Sequence, residues 1–368
     1  MNAFLSHVAR YDWLLMGAVL LLIAIGLISL FSLTGVSVVR FFERQLVWVG
    51  IGLFLLVASS FIDFRIFRTQ SVAVILVYFF SVALLAAVLL VSPRIRGIRA
   101  WAQIGGVALQ PVELAKLALV VLLAKFFSKR HIEIYRVRHL IVSGLYLAVP
   151  ALLVLLQPDP GSAVILIAVW VAVVLFSGMK LRHFFILLLI GAILAGISWQ
   201  FVLAPYQKAR VTSFLDPYRD PQGAGYQMIQ SMIAVGSGRI WGKGLGYGSQ
   251  SHLHFLPESH ADFIFAAYAE EWGFVGVAIL LGLFGVMLWR VIHIGMRARD
   301  NFSRLYTIGF AAYIFTQSFI HIGMNMGILP IAGITLPFIS YGGSSLVTLM
   351  IGIGIVQNIK INARREVE

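Results

Sequence analysis

Apolar residues fill this chain in long unbroken stretches, and polar positions fall mostly between them. Ten stretches can cross a bilayer: 14–33, 46–62, 72–91, 111–127, 140–156, 163–179, 184–204, 263–290, 305–327 and 344–359. A helix of about 20 apolar residues spans the hydrocarbon core. Continuous rather than alternating hydrophobicity selects helices over a barrel, the other structure that satisfies its backbone in lipid. The pattern therefore predicts an all-α polytopic membrane protein, one transmembrane domain over residues 1–368. The fourth stretch is short and carries Glu113, Lys116 and Lys125. The first is too long for the apolar core of a signal peptide and reads as the first span.

Between the seventh and eighth stretches, residues 205–262 are polar and Gly-rich. This segment is expected to be a long loop with short amphipathic pieces such as 226–235, lying on the membrane surface rather than forming a second domain. No internal repeat is visible.

Composition narrows the class. At 60% hydrophobic and 12% charged residues, the chain lies outside the range of soluble globular domains. Having no cysteine, it has neither disulfides nor a thiolate site. The net charge of +13 is assigned to lipid headgroups rather than to nucleic acid, because the basic residues cluster between spans. With the N-terminus inside, sixteen Lys and Arg fall on short inner segments, and only Arg40, Arg44, Arg94, Arg96 and Arg99 on short outer ones. Both termini are thus expected in the cytoplasm and loop 205–262 on the outer face.

Candidate chemistry concentrates in and around that loop. Asp262 stands where it turns back into apolar sequence, and an ionisable group at a membrane edge is a functional candidate because desolvating it is costly. It could equally cap the following helix, whose N-terminus would favour its charged form. The run Gly236–Gly244 (GSGRIWGKG) resembles a phosphate loop but fails its spacing, so its glycines are read as allowing turns and close backbone approach to a ligand. His252, His254, Glu258, His260 and Asp262 look like metal ligands yet match no zinc spacing. A transient magnesium or manganese ion shared by Asp262 and a substrate phosphate suits them better. Glu270 and Glu271 are expected to be structural polar anchors, at least one paired inside the bundle. Glu113 and Lys116 share one helix face as an ion pair, beside a polar cavity. Asp159 is a turn former or a second cavity acid. Arg210 and Lys243 could neutralise a diphosphate. At 337–345, small residues permit close packing, and the amides of a helix start suit an anion.

Taken in order, Gln110–Lys116 (QPVELAK), Gln157-Pro158-Asp159, Arg210–Pro217, Gly225-Tyr226-Gln227, Gln230-Ser231, Leu256-Pro257-Glu258, Asp262–Ala266 and Ile339–Ser345 resemble the SEDS family (shape, elongation, division and sporulation proteins). Two departures, Ala261 where many relatives carry Thr and Val112 where Ser is common, remove no reactive group. The resemblance spans nearly the whole chain and implies a peptidoglycan glycosyltransferase of the bacterial inner membrane that polymerises lipid II on the outer face. It adds Gln230, Ser340 and Gly342 as candidate substrate contacts beside Arg210, Lys243, Glu113, Lys116 and Asp159, with Asp262 as catalytic base or cation ligand. A class B penicillin-binding transpeptidase is the implied partner. The elongation branch fits best; a division or sporulation paralogue, a lipid II flippase and a non-catalytic scaffold are the alternatives.

Overall fold

Asp12, Asp159 and Asp300 each occupy a helix N-cap. Their carboxylates accept from the amides of Leu15, Ser162 and Ser303, each at 3.0 Å. Such caps satisfy amides that a helix start leaves open. The computed structural model describes residues 3–33, 39–62, 65–92, 100–104, 107–129, 137–202, 205–223, 225–253 and 255–365. Several basic residues used in the topology argument, Arg94, Arg96, Arg99, Arg130 and Arg136, lie outside them, as does His254.

A short helix, α1 (Ala3–Ala9), leads into α2 (Trp13–Ser32) and α3 (Val39–Phe61), and the one-turn α4 (Arg65–Thr69) precedes α5 (Ser71–Val91). A small antiparallel hairpin, β1 (Ala102–Ile104) with β2 (Val107–Leu109), pairs Ala102 with Leu109. The apolar pattern gave no sign of it. Then follow α6 (Pro111–Ser128), α7 (Val137–Leu156), α8 (Pro160–Phe176) and α9 (Leu181–Ile197). The long loop holds α10 (Pro205–Leu215), α11 (Tyr226–Ser237) and α12 (Ser249–His252), and α13 (Ile264–Arg297), α14 (Asn301–Asn325) and α15 (Gly343–Arg365) complete the chain.

All ten expected spans are helical over their described residues. Eight are long and apolar enough to cross a membrane by length and composition. The other two are α6, with its three charges, and α8, at 17 residues. Helix α6 is buried along nearly its whole length, so its charges meet protein rather than lipid. Close packing of α15 on α3 needs glycine: a Cβ at Gly343 would lie 2.2 Å from the Trp48 ring, and one at Gly354 1.9 Å from Ser59 Oγ. The small residues expected to permit close approach do so here.

Side-chain ties fix the two ends of the bundle. At one end Asp12 pairs with Arg290, approaches Lys360 at 3.7 Å, and has its amide bound by Gln357 at 2.8 Å. The start of α2 and the end of α15 therefore share a face, as an even number of spans requires. At the other end lie the last residue of α2 and the first turns of α6, α13 and α15, tied together through Glu271, Gln45 and Ser344. Loop 205–262 packs on this second end. Its helix α11 contacts α13 and α14, and Ser231 Oγ donates to the Asn325 carbonyl at 2.8 Å.

Candidate active site

Asp262 sits in a tight turn immediately before α13. The N-cap of that helix falls one residue later, on Phe263, which makes no side-chain cap bond. The turn is held from two sides. Asn325, fully buried on α14, donates from Nδ2 to the Asp262 carbonyl at 3.0 Å and accepts from the Ala266 amide at 3.1 Å. From the 337–342 turn, Ser340 Oγ donates to the Ala261 carbonyl at 2.8 Å and the Tyr341 amide to the His260 carbonyl at 2.9 Å. Glu258 (φ 54) and Phe338 (φ 65) adopt left-handed backbone within these two turns. That conformation costs non-glycine residues on the order of 1–3 kcal/mol and persists only where neighbours enforce it. The half-buried Asp262 carboxylate faces Gly333, where a Cβ would lie 3.8 Å from Oδ2.

Below this turn a polar stripe runs down α14. Tyr313, Gln317, His321 and Asn325 recur every four residues, so they share one face over about 18 Å. At its lower end, Glu113 and Lys116 form the expected ion pair at 2.8 Å, both buried. Tyr313 donates to Glu113 at 2.6 Å, and Lys116 also donates to Gln317 at 3.2 Å. Gln317 then reaches Thr335 and Ser345. Higher up, His321 Nδ1 lies 2.6 Å from the Ile334 carbonyl, so it must be the protonated nitrogen; Nε2 is buried and makes no hydrogen bond among the described residues. Asp159 lies near the Glu113–Lys116 pair and caps α8. Its burial raises the carboxyl pKa, and the Ser162 bonds and Lys116 charge do not offset that. The sequence reading named Glu113, Lys116 and Asp159 but missed the stripe that connects them to Asp262. The four-residue recurrence of polar side chains within an apolar helix was the available signal.

The glycine-rich run has a different role from close approach to a ligand. Helix α13 is broken at Gly273 (φ 64, ψ −164), and the loop enters the break. The amides of Lys243 and Gly244 donate to the Glu270 and Glu271 carbonyls, both at 3.0 Å. Phe274 and Val275 donate to the Arg239 and Ile240 carbonyls at 2.9 and 3.1 Å. The loop thus takes over four helical hydrogen bonds. Gly238 and Gly242 make this possible, since a Cβ on either would lie 2.0 Å from an α13 carbonyl oxygen. Both glutamates pin the same loop. Glu270 accepts from Lys243 Nζ at 2.7 Å and the Gln250 amide at 3.1 Å. Glu271 accepts from Ser32 at 2.5 Å and Gly246 at 3.1 Å. These are the expected polar anchors, and Lys243 is the partner of one of them.

A cavity of about 460 Å³ opens between α10, α11, Pro257 and Ile331; Pro257 and Ile331 bring it to the segments that carry Asp262 and Gly333, but Asp262 itself is not in its lining. Arg210, Ser213, Tyr226 and Gln227 line it. Gln230, half-buried on the same helix as Gln227, is not part of that lining. The Gly342 amide donates to Gln45 Oε1 at 3.3 Å and is thus satisfied within the protein. The suspected metal ligands diverge: His252 lies 3.3 Å from Glu271, and His260 lies 3.6 Å from Glu258 and stacks on Phe41. Among the described residues no three His, Asp or Glu side chains gather as a metal site. The Asp262 region fits a divalent cation only where a substrate supplies further oxygens.

A polytopic helical membrane protein with an acid on a stapled turn at one rim of the bundle and an Arg210-lined cavity at the same end is the class that fold and site define. The family model for FtsW, RodA and SpoVE, described as a cell cycle protein family, matches residues 12–365. The chain belongs to this family. It is 38% identical over 365 residues to stage V sporulation protein E of Bacillus subtilis, covering 96% of this chain and 98% of that one. It is also 38% identical over 317 residues to peptidoglycan glycosyltransferase MrdB of Escherichia coli, covering 86% and 85%. A solved chain from a peptidoglycan synthase complex that coordinates polymerization and crosslinking superposes with a TM-score of 0.81 at 34% identity, covering 96% of this chain and 98% of that one.

Proposed function

We propose that the chain is the peptidoglycan glycosyltransferase of cell elongation, with Asp262 as its catalytic carboxylate. Family members are named peptidoglycan glycosyltransferases, and the chain is an enzyme of that class embedded in the bacterial inner membrane. The observation that supports the site assignment is the double stapling of the Asp262 turn at the rim of the bundle, five residues from Pro257 in the cavity lining. The 4-hydroxyl of the acceptor sugar attacks the anomeric carbon of the donor, forming the new carbon–oxygen bond. Asp262 orients that hydroxyl and takes its proton. The bond from the anomeric carbon to the diphosphate breaks, and polyprenyl diphosphate leaves with the electron pair. Displacement inverts an α-linked donor to a β-linkage. Arg210, which lines the cavity, is the residue we assign to the diphosphate; Lys243, whose ammonium is held by Glu270, supports the loop. A magnesium or manganese ion bound by Asp262 and substrate phosphate would supply further charge neutralisation.

A class B penicillin-binding transpeptidase as partner is supported by the likeness to the synthase complex. Purified protein, lipid II and magnesium, with and without that partner, should yield glycan chains on a gel, and Asp262→Ala should yield none. Polymerisation surviving in the folded Asp262→Ala protein would overturn the assignment. The elongation role is tested by replacing elongation and division relatives in turn in a rod-shaped bacterium. Restoration of division but not rod shape would refute it.

A further inference from the structure

The loop that enters the break in α13 carries bare apolar side chains on its outer surface. Trp241 is 79% exposed and Tyr247 78%, with Ile240 and Leu245 also exposed. Such a patch on a rigidly held loop marks a contact surface. Its height relative to the bundle is fixed. The Gly246 amide donates to Ser32 Oγ at 2.8 Å, and Ser32 ends α2. From Asp12, tied to the opposite end, α2 rises through 20 residues, about 30 Å, which matches the hydrocarbon thickness. Gly246 is therefore level with the outer boundary of the hydrocarbon. The Arg239 and Ile240 carbonyls are held at the start of the lower half of α13 by Phe274 and Val275.

Exposed apolar side chains also lie on the helices this loop is tied to. Phe31 at the end of α2 and Phe274 just below the break are exposed, Phe274 at 68%. These residues lie on spanning helices and face the bilayer. The patch above them adds Trp and Tyr, which favour the zone between headgroups and acyl chains, and the exposed Arg239, which suits phosphate headgroups.

We infer that residues 239–247 form a shelf embedded in the outer-leaflet interface, with Trp241 and Tyr247 inserted among lipids. The occupant of the patch is the bilayer itself. The loop does not project into water, and the shelf sets the depth at which the outer end of the bundle sits.

The chain contains no cysteine, so single labelling sites can be introduced one at a time. Trp241→Cys, Tyr247→Cys and, as a polar comparator, Gln222→Cys would each carry a nitroxide in nanodiscs of phosphatidylethanolamine and phosphatidylglycerol. Collisions with oxygen and with a water-soluble nickel chelate are then compared. At 241 and 247 the oxygen-to-nickel ratio should be several-fold higher than at 222. Quenching by lipids labelled near the headgroup should also be weaker for Trp241→Phe than for the unaltered protein, a readout that needs no label on the loop. A nickel-accessible label at both positions would overturn the inference. So would exclusion of both reagents, which would mean that protein, from a second copy or a partner, covers the patch.

Discussion

Asn325 donates to the main-chain oxygen of Asp262 at 3.0 Å while accepting from the Ala266 amide at 3.1 Å, joining the end of α14 to both sides of the turn that carries the acid. Position, rather than burial, is what this contact gives Asp262. Asn325→Ala leaves a buried amide and a carbonyl without partners, a loss of about 1–3 kcal/mol. Glycan polymerisation should fall at least tenfold through kcat, with KM for lipid II little changed. A fall through KM alone would show that Asn325 does not position the acid. Asn325→Asp, which cannot donate at this position while ionised, should not rescue.

Lys243 and Glu270 form a lopsided pair: the glutamate is fully buried and the lysine side chain is 30% exposed. Removing the lysine strands a buried charge, which costs more than the pair contributes. Lys243→Met should destabilise the protein by on the order of 3 kcal/mol. Adding Glu270→Gln should recover much of that, as read by thermal unfolding in detergent. Equal destabilisation by the single and double variants would refute the pairing argument.

Gly242, at φ 80, lies where a side chain would meet the Glu271 carbonyl. Gly242→Ala should expel the loop from the break, exposing the Lys243, Gly244, Phe274 and Val275 amides. Hydrogen exchange should accelerate at those four amides and remain unchanged on α6.

Two acids give opposite pH responses. Burial pushes the Asp12 carboxyl up, but the hydrogen bonds from Arg290 and the Leu15 amide, with the charges of Lys360 and Arg290, outweigh it and hold the pKa below its ordinary value. Its contribution to stability is present above an ordinary carboxylate pKa of about 3.9 and is lost as pH falls through the lowered value. For Asp159 burial wins and the pKa is raised, so its contribution is present below about 3.9 and is lost as pH rises through the raised value. Asp12→Asn should lower Tm at neutral pH and flatten the acid limb. Asp159→Asn, which keeps the cap, should gain on the unaltered protein as pH rises. Parallel curves for the two variants would contradict this account.

Much of the architecture was readable from the one-dimensional pattern because burial in lipid and helix capping are local constraints. The ten spans, the Glu113–Lys116 pair and the anchoring role of Glu270 and Glu271 all follow from spacing and charge. Asp262 stood out because it is an acid at a span boundary. Asn325 and His321 did not, because each looks ordinary alone and only their four-residue recurrence with Tyr313 and Gln317 along α14 marks them. The Gly236–Gly244 run signalled close approach correctly but not its partner, since nothing local announces a helix broken at Gly273. The hairpin at 102–109 was hidden because three-residue strands leave no periodicity to count.

The break at Gly273 also limits which parts of this end of the bundle can move to admit a bulky carbohydrate. Lifting the 239–244 segment would strand four main-chain groups at the edge of an oily medium that offers them no replacement partners. That segment is a fixed wall. Freedom to widen the cavity for a lipid-borne sugar lies instead with α10 and α11, which line it without being grafted into a transmembrane helix.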